Sequence, residues 1–206
     1  MYRMKNNQML LFSVVTALIL INSHHLQATE NTFSPLPIDA AIDTEELLRE
    51  AAASGDIDTV KRCLALPGID VNYAPKFCNT PLGSAVEHGQ QEILELLLAA
   101  PGIDINQANA FGNPPLYIAA WKGHTAIVRR LLAEPAIDVN RTDGCGETPL
   151  LAATMRGHTE TVKLLLAAPG IDIHRASHDG DTPLHRAAEN GFTEIENLLK
   201  ATATKQ

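Results

Sequence analysis

The hydrophobic positions along the chain fall into two regimes. Near the N-terminus they form one run, Met9 to Ile21, in which only Ser13 and Thr16 are polar. From about residue 42 they come instead in short clusters that recur. Ile93-Leu94-Glu95-Leu96-Leu97-Leu98 has the Ile-x-x-Leu-Leu spacing of one apolar helix face, and Pro101-Gly102 closes it. Thr80-Pro81-Leu82, Pro114-Pro115-Leu116, Thr148-Pro149-Leu150 and Thr182-Pro183-Leu184 follow one another at intervals of 34 residues. Gly55, Gly89, Gly123, Gly157 and Gly191 keep the same interval, as do Asp70, Asp104, Asp138 and Asp172. Five units at one period exclude coincidence and mark a stacked repeat.

The chemistry of one unit predicts its shape. Thr caps a first helix, and Pro occupies the first turn, where its missing N–H costs nothing. Leu and paired small residues follow, as in Leu184-His185-Arg186-Ala187-Ala188, and the small residues let helices approach closely. A glycine then ends the helix in a left-handed conformation. The second helix carries the Leu face, and Ile103-Asp104-Ile105-Asn106 leads through a loop to the next unit. Helices of two to three turns are marginal alone in water, so each unit has to bury its face on a neighbour and a linear stack results.

These residues resemble the ankyrin repeat. Thr182-Pro183-Leu184-His185-Arg186-Ala187 matches the T-P-L-H-x-A signature in full, and Gly83, Tyr117 and Leu151 stand where the other units would have the His. The Pro-Gly or Pro-Ala pairs at 101, 135 and 169 account for a period one residue longer than usual. The resemblance implies an all-α solenoid of five stacked helix–turn–helix units with short β-hairpin fingers, over residues 42–206. The units fall at about 46–79, 80–113, 114–147, 148–181 and 182–206. Glu196 and Lys200 replace Val162 and Leu166 at the last unit, and Asp43 with Glu46 forms a capping-box pattern at the first, so polar caps are expected at both ends. Pro114 in place of a capping Thr leaves its helix about 1 kcal/mol weaker unless Asn113 substitutes.

Charge narrows the class of partner. Arg3 and Lys5 precede the apolar run, and beyond residue 28 the chain holds 24 acids against 14 bases. That balance argues against nucleic acid and favours a basic or neutral protein. Arg3 and Lys5, the run 9–21 and the polar stretch Asn22–Ala28 have the order of a signal peptide, over 1–28. Residues 29–41, with Ser34-Pro35-Leu36-Pro37, read as a linker. Export to a secreted or periplasmic location is therefore expected, and a membrane contact only if the segment stays attached as the tether of a scaffold.

No chemistry competes with binding. Cys63 aligns with Leu97, Leu131, Leu165 and Leu199 and is a core residue. Cys78 and Cys145 sit two units apart, too far for a bridge at about 10 Å per layer. His174, His178 and His185 lie close in sequence but lack a convergent fourth ligand, while His124 and His158 follow the helix-ending glycines as repeat residues. No phosphate loop, nucleophile elbow or metalloprotease motif occurs, so neither enzyme activity, a cofactor nor a metal is expected. The ankyrin resemblance implies a monomer that binds a protein on its concave face, through the fingers and the exposed ends of the first helices. Aromatic and Met residues gather there in the middle units. Phe77, Phe111, Tyr117, Trp121, Lys122, Met155 and Arg156 are the candidate contact residues, as exposed apolar clusters and Trp, Tyr and Arg are the usual anchors.

Overall fold

The computed structural model describes residues 43–76 and 78–204. The expected signal peptide and linker lie outside these residues, as does Phe77. Ten helices are found among them, in five antiparallel pairs: α1 (Thr44–Ser54) and α2 (Ile57–Leu64), α3 (Pro81–Glu87) and α4 (Gln91–Leu98), α5 (Pro115–Lys122) and α6 (Thr125–Leu132), α7 (Pro149–Met155) and α8 (Thr159–Leu166), α9 (Pro183–Glu189) and α10 (Thr193–Ala203). The first helices α1, α3, α5, α7 and α9 pack consecutively in one row. The second helices stand behind them, and Leu48, Leu82, Leu97, Leu116, Leu131 and Leu165 run through the shared core.

The helix starts form as their residues dictate, with two exceptions. The hydroxyls of Thr80, Thr148 and Thr182 accept from the N–H groups of Gly83, Leu151 and His185 at 2.9, 3.1 and 3.2 Å. Pro114 takes the same extended backbone, and no side chain caps α5, Asn113 included. The fixed φ of Pro114 lowers the entropy of the unfolded chain and so offsets part of that loss. At the first unit the capping box does not form. Asp43 accepts from Glu45 N at 3.2 Å, and the Glu46 carboxylate turns to Arg49. A guanidinium one turn on offers that carboxylate charged donors, and these prevail over a single backbone N–H.

Because Thr148 is wholly buried, its cap yields a clean test. Thr148→Ala leaves Leu151 N without its acceptor and should cost about 1–2 kcal/mol in a urea titration, most of it recovered by Thr148→Ser. Equal stability of all three proteins would show that the cap contributes nothing.

The fingers depart from expectation in one respect. No strand occurs among the described residues. The three later fingers are five-residue loops, each closed end to end by one backbone bond, Asn109 N to Asn113 O, Asp143 N to Glu147 O and Ser177 N to Asp181 O, all 3.0 Å, with a turn bond inside from Gly112 N, Gly146 N or Gly180 N to the first residue's carbonyl at 2.9–3.3 Å. One closing bond is too few for a ladder. Rigidity comes from the first side chain instead. Asn109 Oδ1 accepts from Phe111 N and Asn113 N, and Asp143 Oδ1 accepts from Cys145 N and Glu147 N, all within 2.8–2.9 Å.

Two sets of ties join successive units. Asn72, Asn106 and Asn140 each donate through Nδ2 to the next loop, at Gly102 O, Ala136 O and Gly170 O, at 2.7–2.8 Å. Their Oδ1 atoms accept from Asp104 N, Asp138 N and Asp172 N at 2.8–2.9 Å. At the start of each second helix, Gln90, His124 and His158 reach back to Ala53 O, Glu87 O and Trp121 O in the preceding unit, at 3.1–3.3 Å. These carbonyls belong to the last turn of each first helix and lack partners within it.

Candidate functional site

The groove between fingers and first helices is where side chains are spared from stacking. Its main hollow, about 540 Å³, lies between the fingers at Cys78–Asn79 and Asn109–Asn113 and the helices α3 and α5. Glu87, His88, Phe111, Tyr117, Trp121 and Lys122 line it. Each is there for a positional reason. Residues 87 and 121 occupy equivalent places, two before the glycine that ends each first helix, and 88 and 122 follow them. Phe111 is at the finger tip and is 58% exposed.

Tyr117 and Trp121 are four residues apart on α5, which puts both rings on one helix face. They stack with centroids 6.3 Å apart and planes at 15°. On Trp121 also lies the guanidinium of Arg156, 4.8 Å from the ring centroid, reaching across from the end of α7. Tyr117 is 7% exposed, and its hydroxyl donates to Glu147 Oε2 at 2.8 Å. Burial first, then the hydrogen bond to Glu147 and its negative charge, push the phenol pKa far above its usual value. Tyr117 thus anchors the platform, and half-buried Trp121 presents it.

Around this platform the charges are arranged in pairs. Lys122 Nζ stands 3.1 Å from Glu87 Oε1, and Asn79 donates to Glu87 Oε2 at 2.6 Å. Burial opposes ionisation of Glu87, but these two donors outweigh it and hold the carboxyl below the usual range. Of the candidate residues, Phe111, Tyr117, Trp121 and Lys122 therefore meet in one hollow, with Arg156 covering Trp121. Met155 lies at the end of α7, half-buried and outside the hollow's lining.

The remaining reactive groups are elsewhere or quiet. All three cysteines are free thiols. Cys63 is buried, and burial pushes its pKa up. Exposed Cys145 is also raised, chiefly by the Asp143 carboxylate. His185 Nδ1 is 3.1 Å from Asp181 Oδ1 and fastens its finger. Among the described residues no three His, Cys, Asp or Glu side chains converge on a point where a metal could sit. No described helix is long and apolar enough to cross a membrane.

Sequence reasoning did not anticipate the Asn72, Asn106 and Asn140 ties or the finger-base roles of Asn109, Asp143 and Ser177. Both sets keep the 34-residue interval, so a full alignment of the units carries the signal. The family model for ankyrin repeats (three copies) matches residues 48–143 and 116–205. No curated protein matches the chain.

Proposed function

Because the chain belongs to the ankyrin-repeat family, whose arrays are protein–protein interaction modules and generally not enzymes, we propose that it is an exported binding protein that grips its partner in the groove around Trp121. It would act there as an inhibitor, an adaptor or a secreted effector. The observation that carries this reading is the Trp121 platform. An indole held by the Tyr117 ring and the Arg156 guanidinium, in the same hollow as an exposed Phe111, is more apolar area than stacking requires. Rigid aromatic groups of this kind contribute most to protein interfaces. Export is supported by the signal-peptide order of residues 1–28.

Trp121→Ala tests the groove. A partner captured from the native source by the wild-type chain should bind the variant at least about thirtyfold more weakly, a loss of about 2 kcal/mol or more. The melting temperature should move by no more than a few degrees. Unchanged affinity with a large loss of stability would show that Trp121 serves the fold alone. Mass spectrometry of the mature protein checks export separately: a terminus near Thr29 is expected, and an intact Met1 would favour the tethered scaffold.

A further inference from the structure

One register position of the repeat carries a sign of charge opposite to that of the whole chain. Ser54, His88, Lys122, Arg156 and Asn190 stand immediately before the five helix-ending glycines, and all are exposed. The three central ones are basic, in a protein of net charge -8. Neighbouring helices pack about 8–10 Å apart, so these groups form a row along the groove with about that spacing.

The row is poorly neutralised. The Arg156 guanidinium stands over the Trp121 ring and makes no ion pair among the described residues, so its N–H donors are uncommitted and held close to the indole. Lys122 pairs with Glu87, but the two side chains are 41% and 34% exposed, and such a surface pair is weak enough to exchange. His88 spends Nδ1 on Ser84 O at 2.9 Å and keeps Nε2. On the finger side Asp143 is engaged by two backbone N–H groups and Glu147 by Tyr117, while Asp179 stands exposed at the last finger. Glu189, next to the row's last member, is held by Arg186.

We infer that the groove receives an acidic segment of its partner, with carboxylates on Arg156 and Lys122 about one repeat apart and an apolar side chain between them, against Phe111 and the edge of Trp121. This rests on the groove being the binding face. It reverses the expectation drawn from net charge, and distance is the reason. Exposed charges elsewhere on the chain are screened over about 8 Å at physiological salt, whereas these cations would touch the ligand. Arg meets a carboxylate through two parallel hydrogen bonds, and a guanidinium already held over an indole loses less freedom in making them.

Trp121 is the sole tryptophan of the chain, so fluorescence of the full-length protein reports on the groove directly. The probes are three short peptides sharing the same Leu and Phe positions and carrying Glu, Gln or Lys at the others, together with single-stranded oligo-dT. The Glu peptide should change the emission saturably, more weakly as salt rises, and bind about tenfold less tightly to the double variant Arg156→Gln, Lys122→Gln. Both substituted side chains are exposed, and an unchanged melting curve verifies the fold. Equal or tighter binding of the Gln or Lys peptide overturns the acidic partner while leaving the groove a binding face. Tighter binding of oligo-dT overturns it in favour of a phosphate ligand. If no probe moves the signal the inference also fails, and the groove is then judged alone, by whether Trp121→Ala loses the captured partner.

Discussion

Leu131→Ala should lower the stability of the array by about 2–5 kcal/mol, the largest loss expected from any single substitution considered for this chain. Leu131 is fully buried near the end of α6, in the central unit. Truncation removes its transfer free energy and leaves a void between units that pack on both sides. In a linear stack each unit is held only by its neighbours, so a weakened central unit also weakens the coupling of the two flanks. Urea unfolding should show a lower midpoint and a shallower, broadened transition. Leu132→Ala is the internal control, since that side chain is only half-buried and should cost distinctly less. Melting of Leu131→Ala within a degree or two of wild type would mean that the second helices do not share the core described above.

Gly112→Ala should come next, at about 2–4 kcal/mol. Gly112 has φ +84°, and a Cβ there would meet Gly144 N at 2.9 Å and Gly144 Cα at 3.1 Å. The left-handed backbone alone costs a side chain about 1–2 kcal/mol. Forcing two fingers apart adds about 1–2 kcal/mol more, because the atom encountered is backbone and cannot rotate away. Gly102→Ala separates the two contributions. It shares the left-handed φ of +77°, but nothing lies within 4 Å of its added Cβ. Thermal unfolding of the pair therefore measures the close approach of the fingers. If both variants lose the same amount, the fingers are not in backbone contact.

The repeat was legible because period is a property of the sequence itself. Thr80, Thr148 and Thr182 cap helices where the spacing put them, and Cys63 is buried in the core where its alignment with Leu97, Leu131 and Leu165 placed it. What escaped were bonds whose two ends lie a unit apart. Nothing local to Asn106 shows that its amide joins Ala136 O and Asp138 N, 30 and 32 residues away. The site divides the same way. Trp121 and Arg156 were legible as surface residues at equivalent ends of two helices, but their stacking depends on the offset between units. The burial of Tyr117 turns on one acceptor, Glu147, also 30 residues away. Net charge is limited in a related way, since a sum over the chain carries no information about which register position holds the cations.

The asparagine ties have a mechanical consequence. Each joins a loop only to the loop that follows it, so a force applied to the two ends of the array loads the ties one after another rather than together. Such a molecule unzips instead of shearing. Stretched between two beads, it should lengthen by about 110 Å per event, the contour of one 34-residue unit at about 3.3–3.6 Å per residue less its folded thickness of about 10 Å. On release, each unit finds its neighbour still folded as a template and should zip back in the reverse order. An array built this way can be deformed a unit at a time by a partner bound in its groove, and it returns to its original shape when the partner leaves.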